Sequence, residues 1–213
     1  MRPLSRASGV TRLGFLIARA RRAEAPLAAM ALPMPQVLAS LSGTIALIGN
    51  ARSLTDSTHG PEIDAHDRVI RINRAPMPGP RSHGTRTDAL ALATRIDAAT
   101  LARLNPRLIL WMSHKRKRLP WAVARHPGFA LPPLSDFNRL RETLGANPTT
   151  GALMIDLLIR SPASRVTLYG FDFFASQSLT GSRTAAQVPH DFPGEQAFVA
   201  GLMGRDTRFT LRP

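Results

Sequence analysis

Two asparagines stand where chemistry at a phosphate or a sugar would need them. Asn50 follows the apolar run 45–48, and Asn73 closes the alternating segment 69–73. An asparagine side chain offers both a donor and an acceptor, so a pair of them suits a phosphate together with a base or sugar edge. Taken alone, Gly49-Asn50 also fits a tight turn, since no GxGxxG pattern accompanies it.

Two further groups precede predicted helices. In the segment 147–151 (Asn-Pro-Thr-Thr-Gly), Thr149 or Thr150 can cap a helix whose free amides would bind an anion or ribose hydroxyls. A plain N-cap is the alternative. His190 stands five residues before Glu195, which fits a general base tuned by a neighbouring carboxylate. A surface histidine in a turn is the alternative there.

The elements that must position these residues alternate along the chain. Segments 45–48 and 69–73 read as strands, the second with the apolar–polar alternation of a half-buried strand. Further strands are predicted at 87–93, 107–112, 165–169 and 208–211, with helices from Asp97 to 104, 135 (capped by Ser135) to 144, 148–159 and 195–203. Helices between short strands predict an α/β fold with a mostly parallel sheet, whose ligands bind at the carboxyl ends of the strands.

Length and composition limit the number of domains, the possible binding partners and the possible chemistry. A chain of 213 residues favours one domain with a sizeable core. The net charge is +14, and Lys115 and Lys117 are the only lysines among 28 basic residues. Such a chain can bind nucleic acid, anionic membranes or phosphorylated small molecules, and arginine-rich codon usage is the alternative explanation. The absence of cysteine excludes disulfides, thiolate metal sites and a cysteine nucleophile, and it fits a reducing cytoplasm.

Residues 1–42 differ from the rest. Six arginines stand against one acidic residue, Glu24, and the apolar stretch 13–18 is too short to span a bilayer. A signal peptide would begin similarly, but RARRAE follows where small residues should lead to cleavage. A basic helix lying on the inner face of an anionic membrane, a helix docked on the domain and a disordered arm stay open. We therefore divide the chain into an arm, 1–42, and a domain, 43–213.

In their order and spacing, these groups resemble the motifs of the animal-type sialyltransferases, glycosyltransferase family 29. The long motif is similar to Gly49-Asn50, Ile63-Asp64, Asp67, 71–76 (RINRAP) and 84–87 (GTRT). The short motif is similar to 148–151 (PTTG), with 169–171 (YGF) ending the strand after it, and the very short motif to His190 and Glu195. The resemblance covers about residues 43–213 and indicates a bacterial-type, cysteine-free relative.

The resemblance implies a single Rossmann-like domain, a variant of the glycosyltransferase A fold. Its activity would be inverting transfer of sialic acid, or the related sugar acid Kdo, from a CMP-activated donor to a glycan or glycolipid hydroxyl. No cofactor, divalent metal or specific nucleic acid is implied. The residues implied in donor binding are Gly49, Asn50, Arg71, Asn73, Thr149, Thr150 and Gly151. His190 would be the base, and Glu195 would help to position it.

The sequence departs from the family in two places. The family's paired cysteines fall at Ile45 and Ala163, so ordinary packing must replace that bridge. The third motif, an aromatic cluster with a histidine that helps the phosphate leave, has no match in 176–187. Arg183, His114 and the basic loop 115–118 are candidates for its role. The open alternatives are therefore a non-catalytic nucleotide- or glycan-binding relative and a basic nucleic-acid-binding protein.

Overall fold

A sheet of parallel strands forms the centre of the molecule in a computed structural model, which describes residues 11–173, 179 and 190–212. Within these residues seven strands lie in the order β5-β4-β3-β2-β1-β6-β7, and every neighbouring pair is parallel. They are β1 (Gly43–Ile48), β2 (Arg68–Ile72), β3 (Ala89–Leu92), β4 (Leu108–Trp111), β5 (Phe129–Ala130), β6 (Ala163–Tyr169) and β7 (Phe209–Arg212). The predicted α/β class with a mostly parallel sheet is confirmed.

Helices cover both faces of the sheet. They are α1 (Arg12–Arg21), α2 (Glu24–Ala28), α3 (Met34–Ser40), α4 (Gly60–Asp64), α5 (Pro80–His83), α6 (Ala98–Leu104), α7 (Trp121–Ala124), α8 (Leu134–Leu144), α9 (Thr150–Ile159) and α10 (Phe192–Arg205). One core cluster joins α3, α8, α9 and α10 to the face that carries Ile45 and Leu47. The opposite face carries Leu90 and Ile109 and packs against α1, α2, α6 and α7. Because helices cover both faces of the sheet, successive strand residues point into two buried layers, one on each side.

The order of the strands creates one switch in direction. The chain builds outward from β1 to β5, then returns through α8 and α9 to place β6 on the other side of β1. The carboxyl ends of β1 and β6 thus meet at the topological switch point, where open α/β sheets leave a crevice for a ligand. Asn50 and the segment 169–171 follow these two strands, so the fold brings predicted motif residues to that crevice.

The helix caps and short strands of the structure agree with the sequence predictions in some places and differ in others. Asp97 caps α6 as predicted, and of the two predicted candidates, Thr149 and Thr150, it is Thr149 that caps α9. Ser135 does not cap α8, because the extended backbone of Pro133 already starts that helix at Leu134. The strand β5 was not predicted, since two residues between proline-containing segments give no periodicity to read.

The described part of the N-terminal segment packs onto the domain. Phe15, Leu27 and Met30 have no exposed surface, and the Phe15 ring lies 5.1 Å from that of Trp121. Glu24 pairs at 2.6 Å with Arg116, which is itself buried. No helix in the described ranges is both long and apolar enough to cross a bilayer. The division at residue 43 stays a prediction, but residues 15–30 contribute to the same core as the sheet.

This packing predicts unequal effects of two substitutions in one helix. Phe15→Ala should lower the free energy of unfolding by about 3 kcal/mol, because it empties a fully buried site. Leu13→Ala is the matched control, since Leu13 is 67% exposed, and it should change stability by less than about 0.5 kcal/mol. Urea denaturation of both variants checks this. Equal, small effects would mean that α1 does not pack on the domain.

Candidate functional site

The first wall of the site is the close contact between the ends of β1 and β6. The amide of Gly49 donates to the Tyr169 carbonyl oxygen at 2.7 Å, and a Cβ on Gly49 would collide with the Gly170 carbonyl. Only glycine allows this approach. Asn50 comes next: its Nδ2 donates to the Ile72 carbonyl at 3.4 Å. Its buried Oδ1 has no hydrogen-bond partner among the described residues, which leaves one acceptor for a ligand.

Asn73 forms the second wall. Its backbone is left-handed (φ 54°), a conformation that asparagine tolerates better than most residues. Its Oδ1 accepts from the Ala93 amide at 3.0 Å, and its Nδ2 donates to Thr150 Oγ1 at 3.4 Å. The side chain therefore joins the end of β2 to the loop after β3 and to the start of α9. The structure places both predicted asparagines at the carboxyl ends of neighbouring strands, β1 and β2.

The third wall is the N-terminus of α9. Thr149 caps it by accepting a hydrogen bond from the Ala152 amide at 3.1 Å. The Phe171 ring lies against this turn, where a Cβ on Gly151 would come within 2.7 Å of a ring carbon. The residues Thr149, Thr150 and Gly151 thus lie beside Asn73 and the 169–171 segment. A helix N-terminus in this position offers unpaired amides to an anion.

A buried carboxylate holds that turn in place. Glu195, on α10, is 5% exposed and accepts from the Thr149 amide at 2.6 Å and from the Thr149 hydroxyl at 2.7 Å. Burial raises the pKa of Glu195, and the two hydrogen bonds from Thr149 partly offset that rise. Both oxygens are therefore engaged in shaping the α9 turn.

His190 is fixed by the same segment of backbone. Its Nδ1 lies 2.7 Å from the Asn147 carbonyl oxygen. A carbonyl only accepts, so Nδ1 must carry the proton, and the Nε2 of the neutral ring keeps a free lone pair. The described hydrogen bonds link His190 to Glu195 through residues 147–149, because the Asn147 carbonyl orients the ring and Glu195 holds Thr149. The Asn147 carbonyl is a contact that spacing alone did not predict.

Arg71, predicted from the resemblance to bind the donor, is directed into the protein. It is 1% exposed, and its guanidinium donates to the carbonyls of His83 at 2.7 Å and Arg86 at 2.9 Å. Burial lowers the pKa of Arg71 to about 10. The half-buried alternation predicted for this strand is wrong at Arg71, because α4 and α5 cover the face of the sheet that was expected to meet solvent. Arg71 ties β2 to the loop 83–87, and a donor-binding role for it stays a prediction.

The structure describes His114 but not Arg183, so the candidacy of Arg183 for the third-motif role stays a prediction. Arg183 and the stretches 174–178 and 180–189 lie outside the described residues. His114 follows β4, two strands away from β2, and its ring lies 4.3 Å from that of Phe137. Burial and the neighbouring basic side chains lower the pKa of His114, which disfavours the protonated form at neutral pH.

The parallel sheet and its switch point define an open α/β fold with a crevice at the carboxyl ends of β1 and β6. The family model of glycosyltransferase family 29 (sialyltransferase) matches residues 33–98, the part that contains the long motif. The segments similar to the short and very short motifs lie beyond this match.

Curated relatives match over short stretches. CMP-N-acetylneuraminate-beta-galactosamide-alpha-2,3-sialyltransferase 1 of Mus musculus is 56% identical over 34 residues, which are 16% of this chain and 10% of the relative. Sialyltransferase-like protein 2 of Oryza sativa subsp. indica is 42% identical over 66 residues, which are 30% of this chain and 17% of the relative. The matches thus span less than a fifth of these relatives' lengths.

Solved structures extend the likeness to the whole chain. A mammalian sialyltransferase in complex with Gal-beta-1-3GalNAc-ortho-nitrophenol has a TM-score of 0.58 at 16% identity, covering 100% of this chain and 90% of that one. The sialyltransferase CstII from Campylobacter jejuni, in complex with the substrate analogue cytidine-5'-monophosphate, has a TM-score of 0.52 at 13% identity, covering 79% of each chain. The fold is that of the sialyltransferases, and the predicted resemblance is confirmed.

The Glu195 contacts predict opposite outcomes for two substitutions. Glu195→Ala removes both acceptors and leaves the Thr149 amide without its partner, which should cost about 1–3 kcal/mol of stability. Glu195→Gln keeps the shape and one carbonyl acceptor, so it should retain most of that stability. Chemical denaturation of both variants measures these effects. If Glu195→Ala unfolds like the wild type, the carboxylate does not hold the α9 turn.

Proposed function

We propose that this chain is a sialyltransferase that moves sialic acid from a CMP-activated donor to a glycan hydroxyl, with inversion and without a divalent metal. The strongest supporting observation is that several polar groups meet at the carboxyl ends of the strands. They are Asn50, Asn73 and the first turn of α9, and His190 lies beside them with its ring oriented by the Asn147 carbonyl. The buried Oδ1 of Asn50, which has no hydrogen-bond partner within the described part of the chain, adds an acceptor that a ligand could use. The family match over residues 33–98 supports the choice of sialic acid as the sugar.

In this proposal the donor lies across the ends of β1 and β2. The amides at the start of α9 and the Asn73 side chain would face the phosphate or carboxylate of the donor, because both present N–H groups in a partly buried setting. Asn50 would contribute the amide and the free oxygen to the nucleotide. Gly49, Thr149, Thr150 and Gly151 would shape the pocket by allowing close backbone approach.

The reaction needs one proton transfer. The acceptor hydroxyl oxygen bonds to the anomeric carbon as that carbon's bond to the CMP phosphate oxygen breaks. The hydroxyl proton passes to Nε2 of His190, and CMP leaves with the electron pair. Attack from the face opposite the leaving group inverts the anomeric centre. The Asn147 carbonyl supports this role, because it holds the proton of the neutral ring on Nδ1.

Two acidic residues of the long-motif segment, Asp64 and Asp67, lie at the amino ends of the strands, away from the proposed donor site. Asp64 accepts hydrogen bonds from the amides of Thr85 and Arg86, and Asp67 accepts from the amide and hydroxyl of Thr44. These contacts engage both side chains in hydrogen bonds to neighbouring loops and strand ends. The described residues contain no group of three or more His, Asp or Glu side chains placed to hold a metal ion.

CMP binding tests the nucleotide class. At about a hundred times its dissociation constant, CMP should stabilise the protein by roughly 2.7 kcal/mol, whereas UDP and GDP should do much less. EDTA should change neither this stabilisation nor turnover of the CMP-sialic acid donor. Thermal unfolding with each nucleotide, with and without EDTA, checks both points. Equal stabilisation by all three nucleotides, or activity restored by manganese after chelation, would contradict the proposal.

Substitution of His190 tests the assignment of the base. His190→Ala and His190→Asn should keep CMP affinity within a few fold while donor turnover with a glycan acceptor falls about a hundredfold or more. His126→Asn, at the opposite edge of the sheet, is the matched control and should turn over like the wild type. Turnover is measured with CMP-sialic acid, and CMP-activated Kdo serves as the comparison donor.

Three results would change the assignment. Wild-type turnover in both His190 variants would mean that His190 is only a turn residue. Loss of CMP binding in both would place His190 against the phosphate. Tight CMP binding by a wild-type protein that turns over neither donor would favour the non-catalytic relative instead.

A further inference from the structure

The exposed apolar side chains of the described residues are concentrated on one helix. Leu13, Leu16 and Ile17 are 67%, 38% and 44% exposed, and they are the large apolar side chains that the described ranges leave open to solvent. Their spacing of i, i+3 and i+4 puts them on one face of α1. Phe15 and Ala18 occupy the opposite face and are buried in the core. The helix therefore presents an apolar ridge outward while it is anchored on its inner side.

Basic side chains border this ridge on α1 itself. Arg12 and Arg21 are exposed, Arg19 is half-buried, and Arg22 follows the helix. Arg12 and Arg19 lie on one side of the ridge in the helical projection, and Arg21 lies on the other. The segment 11–22 contains no acidic residue, and Glu24, the next one, is taken up by Arg116.

A second basic segment adjoins the helix. Arg19 donates from Nη1 to the Leu119 carbonyl at 3.2 Å, so α1 is fastened to the end of the loop after β4. In that loop Lys115, Lys117 and Arg118 are exposed, whereas Arg116 is buried against Glu24. The basic loop and α1 together form one positively charged surface with an apolar ridge.

We propose that this surface, α1 with Lys115, Lys117 and Arg118, binds the anionic face of a lipid bilayer. An apolar ridge flanked by arginines suits the boundary between acyl chains and acidic headgroups, because both parts of the surface then find a partner. A nucleic acid would pair with the cations but leave Leu13 and Ile17 in water. A second copy, docked through the same surface, would bring like charges together.

The position of this surface connects it to the candidate site. The basic loop follows β4 at the carboxyl edge of the sheet, the edge that carries Asn50 and Asn73. Because β4 lies two strands from β2, the separation across the sheet is roughly 10 Å. A protein docked through α1 would hold that edge near the bilayer, within reach of a lipid-linked glycan. This consequence rests on the proposed function, whereas lipid binding itself does not.

Vesicle sedimentation of the full chain, without donor or acceptor, tests the proposal. The protein should bind phosphatidylcholine vesicles that contain about one third phosphatidylglycerol at least tenfold more tightly than vesicles of phosphatidylcholine alone. Binding should weaken as salt rises. The variant Leu13→Gln/Leu16→Gln/Ile17→Gln should bind at least tenfold more weakly with an unchanged melting temperature, because these side chains make an exposed ridge.

A charge-matched pair of variants distinguishes binding through this surface from nonspecific electrostatic attraction between the basic protein and anionic vesicles. Lys115→Gln/Lys117→Gln/Arg118→Gln should weaken binding at least tenfold. Arg107→Gln/Arg125→Gln/Arg165→Gln removes the same charge from exposed positions at the amino ends of the strands and should bind like the wild type. Equal losses in the two charge variants would overturn the proposal, as would full binding by the apolar variant.

Two other results would also overturn it. If the wild type does not bind anionic vesicles but binds duplex DNA with a steep salt dependence, the surface is a nucleic-acid-binding site. If the wild type sediments as a dimer that the apolar variant converts to a monomer, the ridge is an interface between copies. Retained CMP binding in each variant would show that a lipid-binding result does not reflect a failed donor site.

Discussion

The contact between the Glu195 carboxylate and Thr149 is the constraint on which the site depends. Two short hydrogen bonds from Thr149 to the buried carboxyl group of Glu195 fasten α10 to the first turn of α9. The same turn meets Asn73 through Thr150, and the residue two positions before Thr149 orients His190. Donor-binding and proton-accepting groups are thereby built on one short segment, so a shift of that segment would displace both.

Backbone contact at the switch point provides the floor beneath this segment. Gly49 lets the ends of β1 and β6 approach more closely than a side chain would allow, and Gly170 takes the left-handed backbone that follows β6. Phe171 then turns its ring toward Gly151, which connects the floor to the α9 turn. The glycines are therefore needed for the shape of the crevice, and the polar groups around it supply its chemistry.

The sequence was sufficient where local chemistry decides the outcome. The pattern of apolar residues predicted the parallel sheet and the position of both asparagines at strand ends, and residue type narrowed the cap of α9 to Thr149 or Thr150. Sequence reasoning failed where contact with an element distant along the chain determines whether a side chain is buried or how it is oriented. Arg71 looked solvent-facing because its strand alternates, yet α4 and α5 cover it. The Asn147 carbonyl that orients His190 is a backbone group and leaves no signature in residue types. Phe15 and Glu24 join the core through partners about a hundred residues away.

A crystal structure of this protein with CMP tests the central claim most directly. The nucleotide should lie at the carboxyl ends of β1 and β2, with Oδ1 of Asn50 within hydrogen-bond distance of it and the phosphate facing Asn73 and the first turn of α9. His190 should keep its contact with the Asn147 carbonyl and turn Nε2 toward the open side of the site. CMP bound at another place, or no CMP at saturating concentration, would contradict the donor site described for this fold.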